Sequence, residues 1–158
     1  MIDEKEQMYA MMKTFFEENV PYAKHSGIEL LEIADGHGSA KLPDWKETQN
    51  HMGTQHAGAL FTLAEAASGA ASVSLFADKV LMIRAAITSA TIEYLRGARG
   101  EIKAFGKLRG DGEDILAEFN QEGRVTYVVD VSLIDAKERE IARMEVNWSV
   151  QINQPSAA

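Results

Sequence analysis

The sequence predicts an antiparallel α+β domain in which one long central helix is wrapped by six strands. Three observations carry this. Strand-like segments follow one another instead of alternating with helices, which argues against a doubly wound sheet. The chain reads helix, two strands, long helix, four strands, with no internal repeat. The long helix has a face of small apolar residues, Ala59, Leu60, Leu63, Ala64, Ala66, Ala67, Ala70 and Ala71, that lets a curved sheet come close.

The elements follow in order. Met8, Met11, Met12, Phe15 and Phe16 fall at helical spacing and Pro21 closes the pattern, so an amphipathic helix is expected over about 3–19. Its methionines read as core packing. GIELLEIADGHGSAKLP reads as two strands joined at Asp35-Gly36, a turn-forming dipeptide, with His37 exposed beside the turn. The central helix is expected over about 56–77. LMIRAAITSATIEYL, GEIKAFGKLRG, GRVTYVVDVSLID and EIARMEVNWSVQI are the remaining strands, rich in β-branched and aromatic residues between Gly-rich or charged breaks. EDILAEFNQEG, with Ile115, Leu116 and Phe119 at helical spacing and Gly123 at its end, reads as a short helix between the second and third of these. Residues 1–152 make one domain, and 153–158 read as a disordered tail.

Composition bounds the function. A formal charge of −8 argues against a nucleic-acid or anionic-membrane binder, because both need a positive field. The lack of cysteine excludes a disulfide framework, a thiolate nucleophile and a Cys-based zinc site. The N-terminus is acidic and amphipathic, unlike a signal peptide, and no uninterrupted apolar run reaches membrane-spanning length. A cytoplasmic protein is expected.

The stretch NHMGTQHAGALFTLAEAASGAA, residues 50–71, holds the chemistry. Its helix places Gly58, Phe61, Thr62, Glu65, Ser68, Gly69 and Ser72 opposite the small apolar face, with no Lys or Arg between Gln55 and Ala77. If that face is solvent, Glu65 is a surface acid; if it is an interface or cleft, the carboxylate is desolvated and its pKa rises. His56 stands at the predicted helix start, where unpaired N–H groups and the positive end of the macrodipole stabilise an oxyanion. Nine residues of helix separate His56 from Glu65, about 13.5 Å of rise. One carbonyl cannot touch both in the same chain, so joint action requires a symmetric partner.

The spacing of Asn50, Gly53 and His56 followed by LFTLAEAASGAA is similar to the signature of hotdog-fold acyl-CoA thioesterases, in particular the phenylacetate-degradation branch; TIEYLRGARGEIKAFGKL resembles a downstream segment of the same family. The resemblance covers about residues 27–152. It implies a central helix wrapped by sheet, a homodimer or a dimer of dimers, and an acyl-CoA substrate. It also implies roles: Glu65 as nucleophile or general base, Asn50 as the residue orienting water or thioester, and His56 with the amides of Ala57 and Gly58 as the group polarising the carbonyl.

Three positions depart from the family pattern. Ala57-Gly58 replaces two glycines, Glu65 replaces the more usual Asp, and Ile87 stands where Ser or Thr is common, which leaves the adjacent Thr88 and Ser89 as the candidate substrate-binding hydroxyls. In a regular strand Ser89 would share the face of Ile87. Thioester hydrolysis needs a positioned carboxylate, a polarising donor and no cofactor, and His51 and His56 lack convergent metal ligands.

Between Lys79 and Gly110, Lys79, Arg84, Arg96, Arg99, Lys103, Lys107 and Arg109 face only Glu93 and Glu101. This stretch either holds coenzyme A phosphates, with Arg96 and Arg99 as the preferred contacts, or protects a sheet edge. Phe61, Phe76 and Met82 either line an acyl tunnel or belong to the core. A hotdog hydratase is a weaker match, since its proline-bearing loop after the histidine is missing; a non-catalytic acyl-CoA binder is the alternative from another class.

Overall fold

A computed structural model of the chain describes residues 1–154. The predicted tail at 153–158 lies outside the described residues from position 155 on. Helix α1 spans Glu4–Asn19, and Pro21 opens a second short helix, α2, Pro21–His25, instead of only closing the first. Proline suits a first helical position because its missing N–H has no intrahelical partner there. Strands β1 (Glu29–Ala34) and β2 (His37–Leu42) form the predicted hairpin about Asp35-Gly36, with Gly36 at φ 68°.

Helix α3 spans Ala57–Ser74, three residues short of its expected end, and a 3₁₀ turn at Ala77–Met82 delays β3 to Ile83–Tyr94. Strand β4 (Ile102–Leu108) leads into α4 (Gly112–Glu122), β5 (Arg124–Ile134) and β6 (Glu140–Ile152). The short helix is bounded by local chemistry: Asp111 accepts from Glu113 N–H at its start, and Gly123 ends it in the left-handed conformation.

The six strands form one antiparallel sheet in the order β1-β2-β4-β5-β6-β3. Helix α3 lies in its concave face. Leu60, Leu63, Ala64, Ala66, Ala67, Ala70 and Ala71 are buried as predicted, whereas Ala59 is only half-buried. The sheet also contributes to this close approach. Gly38 and Gly106 pair across β2 and β4 beneath the helix, and a Cβ on Gly38 would stand 2.5 Å from Ala70 Cβ and from Ala71 N. A Cβ on Gly106 would stand 2.8 Å from Ala67 O.

Ser68 and Ser72 are buried, not on the open face of α3 with Glu65 as the wheel had them. Trp148 Nε1 donates to Ser68 Oγ at 3.2 Å, and Ser72 and Tyr127 share a hydroxyl hydrogen bond of 2.5 Å. The sheet curls far enough round the helix to supply these partners, so the polar rim of the wheel is satisfied inside the core. Phe76 is likewise fully buried, edge-on to Phe119 and stacked near Tyr127, which makes it core and not tunnel lining.

Candidate functional site

The loop before α3 is held by its own side chains. Asn50 Oδ1 accepts from Met52 N–H at 2.9 Å and Thr54 N–H at 3.2 Å, while Nδ2 donates to Thr54 Oγ1 at 2.7 Å. Asn50 thus closes the turn in which Gly53 takes φ 70°, and one Nδ2 proton remains for another partner. Beneath it Gln55 is 3% exposed. Its Nε2 donates to Pro43 O at 3.0 Å and Gly100 O at 2.8 Å, its Oε1 accepts from Thr48 at 2.7 Å, and its N–H donates to Ala98 O.

Gln55 therefore joins this loop to the 95–101 connection that carries Arg96 and Arg99. Arg99 reaches over the loop to Gly53 O at 3.4 Å. Sequence reasoning missed Gln55 because a glutamine in a polar loop looks exposed; only the neighbouring connection buries it. Gln55→Ala is expected to strand these partners and destabilise the fold by about 2–3 kcal/mol, read as a lower urea midpoint at unchanged m.

His56 is the N-cap of α3. Its backbone is extended (φ −64°, ψ 139°), and Nδ1 accepts from Gly58 N–H at 2.8 Å. Two consequences follow. The ring proton in this arrangement sits on Nε2, so the exposed side chain offers an N–H donor. The Gly58 amide, expected to serve substrate, is taken by the imidazole, whereas the Ala57 amide makes no hydrogen bond among the described residues. Tyr94 donates from its hydroxyl to Ala57 O at 2.9 Å, tying the end of β3 to the helix start, and burial raises its phenol pKa.

Glu65 lies two turns further along α3, on the face that carries Phe61, Thr62 and Gly69. It is half-buried, makes no side-chain hydrogen bond or ion pair among the described residues, and burial raises its pKa above the usual carboxylate range. Between the unfolded and the raised folded pKa the native state binds more protons, so this group removes stability as pH rises through that window. Below the unfolded value the cost is absent; above the folded value it is complete. Glu65→Gln is accordingly expected to melt higher than the parent protein at pH 7, with the gap closing as the pH approaches about 4.

Ser89 is placed differently from expectation. A bulge between Ile87 and Ser89 makes Thr88 the extra residue, so Ser89 faces away from Ile87 and accepts from Asn147 Nδ2 at 3.0 Å. Thr88 Oγ1 donates to Asn147 O at 3.3 Å. The alternation after the bulge resumes with Ala90 and Ile92 inward, because one inserted residue reverses the parity of a strand.

Strand β3 ends the sheet, so one edge of its 12 residues lacks a strand partner in the single chain. Its inward residues Ala85, Ile87, Ala90 and Ile92 are only half-buried. The partly open face of α3 carries Glu65, with Phe61 36% exposed on the same face, and Tyr94 at the end of β3 touches the start of this helix. Met82 is 55% exposed in the 3₁₀ turn. A cleft of about 580 Å³ lined by Lys5, Asp35, His37, Lys107 and Asp111 contains none of the predicted site residues.

The basic stretch does not form one patch. Arg109 is held by Asp130 and Glu145, Lys79 pairs with Asp78, and Lys103 and Lys107 project from the outer face of β4. Arg96 and Arg99 remain beside the loop. No group of three or more potential metal-binding His, Asp or Glu side chains occurs among the described residues, and no described helix is long and apolar enough to cross a membrane.

Among curated proteins no sequence match reaches significance. Solved structures do match. A Pseudomonas aeruginosa protein, PA5026, of unknown function and termed a "probable thioesterase", superposes with a TM-score of 0.75 at 23% identity, over 91% of this chain and 95% of that one. The Escherichia coli PaaI protein of the phenylacetic acid degradation operon gives 0.72 at 19% identity, over 94% and 95%. The Staphylococcus aureus thioesterase SAV0944, solved as a mutant, gives 0.70 at 17% identity, over 83% and 98%. At these identities the likeness shows a shared fold, the hotdog fold. A profile of the domain of unknown function DUF4442 matches residues 9–150, nearly the whole folded chain, and the chain therefore belongs to the DUF4442 family, built on the hotdog fold.

Proposed function

We propose that this protein hydrolyses acyl-CoA thioesters at a site shared between two copies of the chain. The observation that carries the proposal is Glu65, a desolvated carboxylate with no side-chain partner among the described residues, on the face of α3 that the sheet leaves partly open. A second copy pairing along β3 would bring its helix start to this acid, which a single chain holds about 13.5 Å from its own. The thioesterase names of structural neighbours support the same chemistry.

In this mechanism the thioester carbonyl accepts from Ala57 N–H and from His56 Nε2–H of one copy, at the positive end of the helix. Glu65 of the other copy takes a proton from water as it adds to the carbon, or attacks the carbon itself. The C–S bond breaks and the thiolate leaves and is protonated; where Glu65 itself has attacked, water then cleaves the acyl–Glu65 anhydride and restores the carboxylate, so that either route yields a carboxylic acid and free coenzyme A. The remaining Asn50 Nδ2 proton orients the water or the thioester, Phe61 lines the approach, and Arg96 and Arg99 receive the coenzyme A phosphates. Thr88 and Ser89 have no role in this scheme, because the bulge turns them to Asn147. No cofactor is required, and the cytoplasm is the compartment the reading calls for.

A silent acyl-CoA binder is the second reading, favoured by one observation: the Gly58 amide is already satisfied by His56. Release of free thiol from a panel of acyl-CoAs separates the two. Turnover that is lost in His56→Ala supports the hydrolase; tight binding without thiol release at high protein concentration supports the binder.

A further inference from the structure

Three glycines lie in or against α3 away from its ends, and only two are explained by packing within the chain. Gly38 and Gly106 admit no side chain, because a Cβ would stand 2.5 Å from Ala70 Cβ and Ala71 N in the first case and 2.8 Å from Ala67 O in the second. Gly69 differs. It is mid-helix, half-buried, and a Cβ there would meet only the Trp148 ring, at 3.6 and 3.7 Å, an ordinary van der Waals distance. Alanine would fit and is the better helix former, since glycine in a helix interior loses the most backbone freedom on folding. The chain has kept the less stable residue where its own packing does not ask for it.

The position explains the choice. Gly69 is one turn beyond Glu65 on the same face, about 6 Å along the axis. Its missing side chain leaves a notch floored by the Trp148 ring, and Trp148 is paired in register with Ile87, whose side chain is inward and half-buried. The turn after it brings Val73, also half-buried. The walls are apolar, and a polar pantetheine or phosphate would gain nothing from them. We infer that Gly69 makes the pocket for the acyl group of the thioester, and that the size of residue 69 sets the longest or bulkiest acyl group accepted. This rests on the thioesterase reading and deepens it.

The test uses the full chain with Gly69→Ala and Gly69→Leu. Gly69→Ala is expected to melt about 2 °C higher than the parent, showing that the fold does not need the glycine. Across straight-chain acyl-CoAs of increasing length, Gly69→Leu is expected to lower the ratio of kcat/KM for the longest accepted substrate to that for the shortest by roughly tenfold or more. An unchanged ratio overturns the inference, as does a shift in sedimentation behaviour to smaller species with the ratio intact, since the glycine would then serve contact between copies. If the parent hydrolyses no acyl-CoA, the proposed activity fails, and calorimetric binding of the same series decides the inference separately: Kd for long acyl chains must weaken against short ones in Gly69→Leu, and parallel Kd series overturn it.

Discussion

Glu65→Gln is expected to lower kcat for acyl-CoA hydrolysis by at least about 100-fold with little change in KM. A positioned general base contributes on the order of 10² to 10⁴ in rate, and glutamine keeps the shape of the side chain while removing its basicity. The same substitution relieves the cost of a desolvated carboxylate, so the variant should be slower and more stable together. Loss of activity through misfolding would lower the melting temperature instead, which separates the two explanations.

The proposed sharing of the site between two copies gives a sharper version of this experiment. His56→Ala removes the cap and the Nε2–H donor, and a loss of roughly 10² to 10³ in rate is expected. When Glu65→Gln and His56→Ala chains are refolded together at equal amounts, half of the dimers are mixed, and each mixed dimer has one intact site of two. Roughly a quarter of the parent activity should return. No recovery, in a mixture shown to exchange subunits, would sink the composite site while leaving the fold and the carboxylate untouched.

Gly38→Ala is expected to be the most damaging single-methyl change in the sheet. Its Cβ would stand 2.5 Å from Ala70 Cβ and Ala71 N and 2.6 Å from Ala67 O. Two of these three atoms belong to the backbone of the helix, on the face packed against the sheet, so neither can swing aside as a flexible side chain would. Overpacking of this kind costs about 3 kcal/mol, or roughly 6–12 °C in melting temperature for a chain of this size. Gly106→Ala should be milder, since its nearest contact is 2.8 Å. Equal melting temperatures for Gly38→Ala and the parent would show that helix and sheet are not in the close contact described.

Much of the architecture was legible in the sequence because it is written in short-range patterns. Strand alternation, the small face of α3, the Asp35-Gly36 turn and the Gly123 helix stop are each local signals with a local cause. The misreadings share one physical origin, which is that neighbours distant in sequence supply what a wheel or an alternation cannot see. Ser68 and Ser72 looked like rim residues until Trp148 and Tyr127 satisfied them. Ser89 shared the face of Ile87 until one bulged residue reversed its strand, and Gln55 carried no signal in its own segment because the 95–101 connection helps to bury it.

The candidate site divides in the same way. That Glu65 is isolated from positive charge, that His56 begins its helix, and that about 13.5 Å of helix lies between them are properties of the sequence alone, because helical rise is constant. Which donors remain free was decided only by the tertiary structure. The imidazole of His56 turns back onto the Gly58 amide and leaves Ala57 N–H and Nε2–H without a partner among the described residues. The free edge of β3 was decided there too: strand order puts β3 at the end of the sheet, and the order of six strands is something no single segment encodes.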